Sequence, residues 1–194
     1  MGAGKSLALD ILKELGHPVA DADQASREVV DASNPAGLAA VQELVRIFGA
    51  SVAHEDGSLD RAALRSIVAR DESRRLHLEA FLHPLIRTHV SQRTAAWAAS
   101  GARFGFVEGT RLIESGFVAR AEGLILVTAP LELRLERVRA RNPGQPEREL
   151  RALMDTQDED LMRRHARVIW ENVGTRAALE KQVEAFLSSR LAKP

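Results

Sequence analysis

The chain has 194 residues, 45% of them hydrophobic, and its 27 basic and 27 acidic side chains cancel to zero net charge. That length suits one domain with a proper core, and a balanced charge offers no field to recruit nucleic acid or a membrane surface. Lack of cysteine excludes a disulfide framework, a thiolate zinc site and a thiol nucleophile.

The first six residues, Met1-Gly2-Ala3-Gly4-Lys5-Ser6, read as the second half of the phosphate-binding pattern G-x-x-x-x-G-K-[ST]. Glycines let successive main-chain N–H groups turn inward as a nest for phosphate oxygens, and the following helix adds its own unpaired donors and dipole. Lys5 would reach the β- and γ-phosphates and the Ser6 hydroxyl would hold Mg²⁺. A glycine-rich tail leading into an ordinary amphipathic helix is the alternative. The opening glycine of the pattern and the strand that normally precedes it are missing, and the expectation is a misassigned start, with the protein beginning upstream of Met1. Residues 7–15 have helical periodicity, with Gly16 placed as a C-cap. Val19-Ala20 is a short strand. It is followed by Asp21-Ala22-Asp23 and Arg27, with a helix expected over 24–30. A carboxylate at the end of such a strand could take a proton from an attacking hydroxyl, although capping of the next helix is the simpler role for an aspartate there.

From 32 to 100 helical patterns prevail at 38–48, 61–69 and 76–99, the last interrupted at Pro84, with turns at Ser33-Asn34-Pro35 and Asp56-Gly57. This interval reads as a helical insertion. His83 stands before Pro84, which can open a helix, and Arg87 lies one turn on. The pair could hold a phosphate or simply line a solvated face. Phe104-Gly105-Phe106-Val107, Leu124-Ile125-Leu126-Val127 and Val168-Ile169-Trp170 are further strands, short enough to be buried on both faces of a parallel sheet. A helix follows Pro130. Then come six arginines, Arg134, Arg137, Arg139, Arg141, Arg148 and Arg151, broken by Asn142-Pro143-Gly144-Gln145-Pro146. This is either an exposed charged helix pair or a lid that closes on phosphates. A last helix runs on from Thr175. Strands separated by helices argue an α/β fold. The six histidines have no ligand spacing, no run is long enough to span a membrane, and nothing resembles a leader peptide, so the default compartment is the cytoplasm.

Taken in order, these segments resemble the dephospho-CoA kinase family. Asp21-Ala22-Asp23-Gln24-Ala25-Ser26-Arg27-Glu28-Val29-Val30 resembles its D-A-D-x-x-A-R-x-V-V. Asp56-Gly57-Ser58-Leu59-Asp60-Arg61 is similar to its D-G-x-L-x-R, and His83-Pro84-Leu85-Ile86 to its H-P-L-I. Arg137 to Arg141 matches the R-x-x-x-R that opens its lid, and Asn172-Val173-Gly174 its N-x-G. The resemblance implies a P-loop NTPase-like three-layer fold with a parallel five-stranded sheet in a single domain. The core would be 1–31, 101–140 and 158–194, the CoA-binding helical insertion 32–100 and the helical lid 141–157. It implies transfer of the γ-phosphoryl of ATP to the ribose 3′-hydroxyl of dephospho-CoA, with Mg²⁺, by a monomer or weak homo-oligomer. By position, Asp23 is the proposed base, Arg141 the lid arginine, and Gly2, Ala3, Gly4, Lys5, Ser6 and Leu7 the phosphate cradle, with Ser6 on the metal. Asn172 would lie against the adenine, and Asp23, Arg27, His83 and Arg87 on the acceptor side. Departures from the family pattern are Glu108 for aspartate, Thr110 for proline, Arg111 at an apolar position and Arg167 for aspartate. Another small-molecule kinase on this scaffold, or a truncated nucleotide-binding protein with impaired catalysis, are the competing readings.

Overall fold

A computed structural model describes residues 1–154 and 158–191. The chain divides into two compact units, Met1–Val19 with Thr110–Pro194, and Ala20–Gly109.

In the first unit α1 (Lys5–Glu14) and α9 (Arg176–Leu191) pack together beside the parallel pair β3 (Leu124–Thr128) and β4 (Ala166–Glu171). α1 ends as the sequence suggests: Gly16 N–H bonds the Lys13 carbonyl and His17 N–H that of Leu12. Its apolar side supplies Ala8, Ile11 and Leu12 to the core, and α9 supplies Leu179, Val183 and Leu187. Trp170 of β4 lies edge-on to Phe186, with 5.8 Å between ring centroids. Between β3 and β4 run α6 (Leu131–Arg141), α7 (Glu147–Met154) and α8 (Glu159–His165). α6 and α7 form a hairpin closed on its own apolar cluster of Leu135, Val138, Leu150 and Met154. Of the lid expected at 141–157, Leu150 and Met154 belong to this cluster, and residues 155–157 lie outside the described residues.

Two sheet expectations need correction. β4 is not buried on both faces: Arg167, Ile169 and Glu171 are exposed, while Trp170 is buried on the side of α9. One helix layer covers one face, so the strand alternates. Nor is a five-stranded sheet present among the described residues, where the strands pair as β1 with β2 and β3 with β4. Arg167 is the extra residue of a β-bulge, because Leu124 pairs with Ala166 and Ile125 with Val168. Its guanidinium donates to the Glu122 carbonyl at 2.7 Å, which accommodates the arginine. Arg111 is likewise exposed, so its charge is not set into the core.

The second unit takes in β1 (Val19–Asp21) from Ala20 onward, α2 (Ala22–Glu28), α3 (Pro35–Phe48), α4 (Arg61–Val68), α5 (Glu72–Ala99) and β2 (Phe106–Glu108). Asn34 caps α3, accepting from Gly37 N–H at 2.9 Å, with Pro35 at the first helical position where its missing donor costs nothing. The turn expected at 33–35 is therefore a helix start. Val30, Val41, Leu44, Phe48, Val52 and Leu64 form the core.

Pro84 neither starts nor interrupts a helix. α5 runs through it for 28 residues. A proline inside a helix costs roughly 3 kcal/mol, through the lost bond to residue i−4 and the ring clash. Leu78, Phe81, Leu82 and Leu85, spaced for one helical face on both sides of Pro84, pack against the core cluster. Burial of such side chains is worth up to about 1.5–3 kcal/mol each, which outweighs the proline. No helix among the described residues is long and apolar enough to cross a membrane.

Pro84→Ala restores a backbone donor where the helix is already continuous. The substitution is expected to raise unfolding free energy by about 1 kcal/mol or more in a urea titration. A loss of stability would show that the ring's fixed geometry supports α5 instead of opposing it.

Candidate active site

The N-terminal loop is shaped by what its carbonyls bind. Arg134 Nε donates to the Met1 carbonyl at 3.0 Å, an Arg137 guanidinium nitrogen to that of Gly2 at 3.5 Å, and Asn172 Nδ2 to that of Ala3 at 3.0 Å. Three consecutive oxygens are thus taken by donors from α6 and from the residue after β4. Gly2 and Gly4 have φ of 75° and 96°, where side chains are disfavoured. A Cβ on Gly4 would fall 1.9 Å from the Asn172 amide, and one on Gly2 2.5 Å from the Arg134 carbonyl oxygen. Both glycines are therefore required by space as well as by conformation.

The first intrahelical bond of α1 is from Ala8 N–H to the Gly4 carbonyl, so Lys5, Ser6 and Leu7 hold the helix-end amides that precede the ladder. No side chain caps this end and no acid lies in its first turn. Its dipole is left open to an anion. The surroundings are cationic. Burial first, then the charges of Arg134 and Lys5, hold the Met1 amine below its ordinary value.

A cleft of about 570 Å³ opens at the C-terminal ends of β3 and β4, between Thr128 and Glu171. Pro130, Leu131 and Val173 belong to its apolar lining, and Leu131 and Val173 are 46% and 58% exposed. Its polar centre is Glu159. One carboxylate oxygen accepts from buried Thr128 at 2.9 Å and from Arg163 at 2.9 Å, and the other from Arg134 at 2.8 Å. Burial alone would raise this carboxyl, but the bonds from Thr128 and Arg163 and the charge of Arg134 prevail and hold it below the usual range.

The arginine-rich stretch divides by what each member touches. Arg134 and Arg137 reach the loop. Arg139 pairs with Glu147, and Arg151 with Glu147 at 2.9 Å and with Glu132 at 3.4 Å. Arg141 and Arg148 are exposed and make no ion pair among the described residues.

The second unit has its own cleft, of about 620 Å³, lined by Asp21, Asp23, Arg27, Glu28, Asp31 and Arg61 among others. Asp21 is the cap of α2, its Oδ1 accepting from the N–H groups of Asp23 at 2.7 Å and Gln24 at 3.0 Å. Capping therefore falls on Asp21, and Asp23, the next acid along, is among the residues that line the cleft. Arg27 stands one turn further along the same helix. Glu28 accepts from Gln24 at 2.8 Å, lies 2.7 Å from His89 Nε2 and takes Arg93 at 3.2 Å, which ties α2 to α5. His83 and Arg87 share a face of α5, one turn apart, but neither lines this cleft.

Several of these residues carry no signal of their own in the sequence. Thr128 and Glu159 are solitary in their segments, and Val173 is only the middle of Asn172-Val173-Gly174. Arg61 does stand in the Asp56-to-Arg61 segment, which could flag it. His89 and Arg93 have an i,i+4 spacing on α5, but nothing local indicates that Glu28 faces them.

A family model described as dephospho-CoA kinase matches residues 1–178. The dephospho-CoA kinase of Anaeromyxobacter dehalogenans is 33% identical over 97% of this chain and 87% of its own length. That of Geobacter sulfurreducens is 34% identical over 98% and 94%. Among solved structures, the Thermus thermophilus protein TT1252 is 34% identical and superposes with a TM-score of 0.78, over 97% of this chain and 93% of that one. The dephospho-CoA kinase from Campylobacter jejuni, 22% identical with a TM-score of 0.71 over 98% and 92%, shares the fold.

The Glu159 network fixes the sign of a pH effect. Its folded-state value lies below the unfolded one, so the ionised carboxylate stabilises the fold above the ordinary carboxylate range. That stabilisation fades as pH falls through the folded value. Glu159→Gln should be less stable than wild type at neutral pH, with the gap closing in acid; a gap independent of pH would remove Glu159 from this role.

Proposed function

The chain belongs to the dephospho-CoA kinase family, whose members catalyse the final step of coenzyme A biosynthesis, and we propose that its two units divide that reaction, the first holding ATP and the second the acceptor. The observation that carries this reading is the loop at residues 1–6. Its carbonyls are turned away onto Arg134, Arg137 and Asn172, and it leads into an uncapped helix end.

In this reading the amides of residues 2–7 cradle the β- and γ-phosphates, and the Lys5 ammonium sits on the oxygens that gain charge during transfer. Leu131 and Val173 offer the exposed apolar surface on which a purine can lie. The buried Asn172, an adenine contact by the resemblance, gives its amide to the loop and so acts on the nucleotide by positioning Ala3 and Gly4. Arg141 at the end of α6 is a cation available for the transferred group when the α6–α7 hairpin approaches.

Mg²⁺ fits this donor set as a partner of the nucleotide. The Ser6 hydroxyl in the first turn of α1 would hold it with phosphate oxygens, and no group of three His, Cys, Asp or Glu that could bind a metal alone occurs among the described residues. When bound, the ion neutralises phosphate charge. Asp23 faces the cleft of the second unit and would accept the proton of the ribose 3′-hydroxyl as its oxygen forms the bond to the γ-phosphorus. The bond from that phosphorus to the bridging β,γ-oxygen breaks and ADP leaves. Arg27 would take part in holding the acceptor, with His83 and Arg87 further along α5.

Asp23→Asn should lower kcat by about 10²–10⁴ with ATP affinity nearly unchanged, since a base is lost but the cradle is not. Turnover at the wild-type rate in a coupled ADP-release assay would remove Asp23 from the role. Asn172→Ala leaves the Ala3 carbonyl without its donor and should weaken ATP binding about tenfold, with little change in the KM for dephospho-CoA. Equal losses for both substrates would indicate general damage to the fold.

A further inference from the structure

Arg61 opens α4 directly after its cap Asp60, and its guanidinium donates to the main-chain carbonyl of Arg27 at 3.2 Å. Two arginines from different segments, α2 and α4, therefore meet in one cleft. Neither has a carboxylate within ion-pair distance among the described residues, although four acids line the same cleft. Three of these acids are committed elsewhere. Asp21 caps α2, Glu28 is engaged by Gln24, His89 and Arg93, and Asp31 accepts from Ser33 N–H at 3.0 Å. Asp23 is the group assigned to the proton. Burial first, and then the neighbouring Arg27 charge, pull the Arg61 guanidinium below its ordinary value, with the Asp31 charge opposing. Two like charges held side by side, with only the Asp31 carboxylate opposing them from beyond ion-pair distance, leave a net positive field that favours an anion.

We propose that Arg61 and Arg27 together form the subsite for the diphosphate of the acceptor. The inference rests on the reading of this cleft as the acceptor site and adds to it the group that is gripped and the residue that grips it. A guanidinium presents a planar fork of donors that matches two oxygens of a phosphate, and two forks from separate elements match the two phosphates of a diphosphate better than a lone phosphate or carboxylate. Anchoring of Arg61 to the Arg27 carbonyl places one of the two forks before the ligand binds, which limits the entropy lost on binding. Dephospho-CoA carries its diphosphate between the adenosine whose ribose reacts and the pantetheine arm. The grip would therefore set the distance from the anchored phosphates to the hydroxyl near Asp23, one turn from Arg27.

The test uses the full chain with saturating ATP and measures KM and kcat for dephospho-CoA in wild type, Arg61→Met, Arg61→Lys and Arg27→Met. Methionine keeps an apolar stem of similar reach while removing the charge. Arg61→Met is expected to raise the KM for dephospho-CoA about tenfold to a hundredfold, the span of one or two lost charge-assisted bonds, with ATP affinity and thermal midpoint unchanged. Arg61→Lys should recover part of the loss. Adenosine, with the same ribose and no phosphate, serves as the competitive inhibitor, and its inhibition constant should not move. An unchanged KM in Arg61→Met, or an equal loss for adenosine, overturns the diphosphate subsite while leaving the kinase reading intact. Failure of the wild-type chain to bind dephospho-CoA in a direct titration overturns both.

Discussion

Three hydrogen bonds to consecutive carbonyls shape the loop proposed to hold the nucleotide. Main-chain N–H and C=O groups of a short loop point in opposed directions, so fixing the oxygens of Met1, Gly2 and Ala3 on Arg134, Arg137 and Asn172 determines where the amides face. Two of the donors are held in turn. Arg134 is fixed by Glu159, which also gathers Thr128 and Arg163, and the Asn172 backbone N–H bonds the Thr128 carbonyl at 2.8 Å. The loop is thus tied to the ends of β3 and β4, to α6 and to α8. Preorganisation of this sort lets dipoles stabilise phosphate charge without reorganising during the reaction.

Charge is distributed with the same logic in both units. Cations that shape the protein have partners: Arg139 and Arg151 with Glu147, Arg93 with Glu28, and Arg176 with Glu14. Three of the cations that the proposed chemistry uses have no carboxylate in ion-pair contact among the described residues: Arg141 on the α6–α7 hairpin, and Arg27 with Arg61 in the second cleft. Exposed ion pairs contribute little to stability, so this pattern is better understood as control over which guanidinium groups stay available to anionic ligands. The zero net charge of the chain hides it entirely.

Much of the fold is legible because its signals are local. Gly16 closes α1, Pro130 precedes α6, and the apolar runs at Leu124 and Val168 form β3 and β4, each from a rule acting over a few residues. Pro84 misleads for the opposite reason. Its local cost is outweighed by packing of Leu78, Phe81, Leu82 and Leu85 on a core assembled from distant segments, which no window of sequence displays. The exposed face of β4 is hidden because Val168-Ile169-Trp170 reads as uniformly apolar, whereas only one face is covered by α9. At the site, the pattern of residues 2–6 and the Asp21–Asp23 pair are visible, but not the division of labour between the two aspartates. That follows from the position of Asp21 immediately before α2. Glu159, Thr128 and Arg61 have meaning only through partners brought from elsewhere in the chain.

The most direct test is a calorimetric titration of ATP with Mg²⁺ into the wild-type chain and into Lys5→Ala. The expected result is saturable binding at one site in the wild type, weakened about a hundredfold or more when the ammonium is removed, as for loss of a charged hydrogen-bond partner of phosphate. An absence of heat in the wild type, or an affinity indifferent to Lys5, would contradict the account at its root.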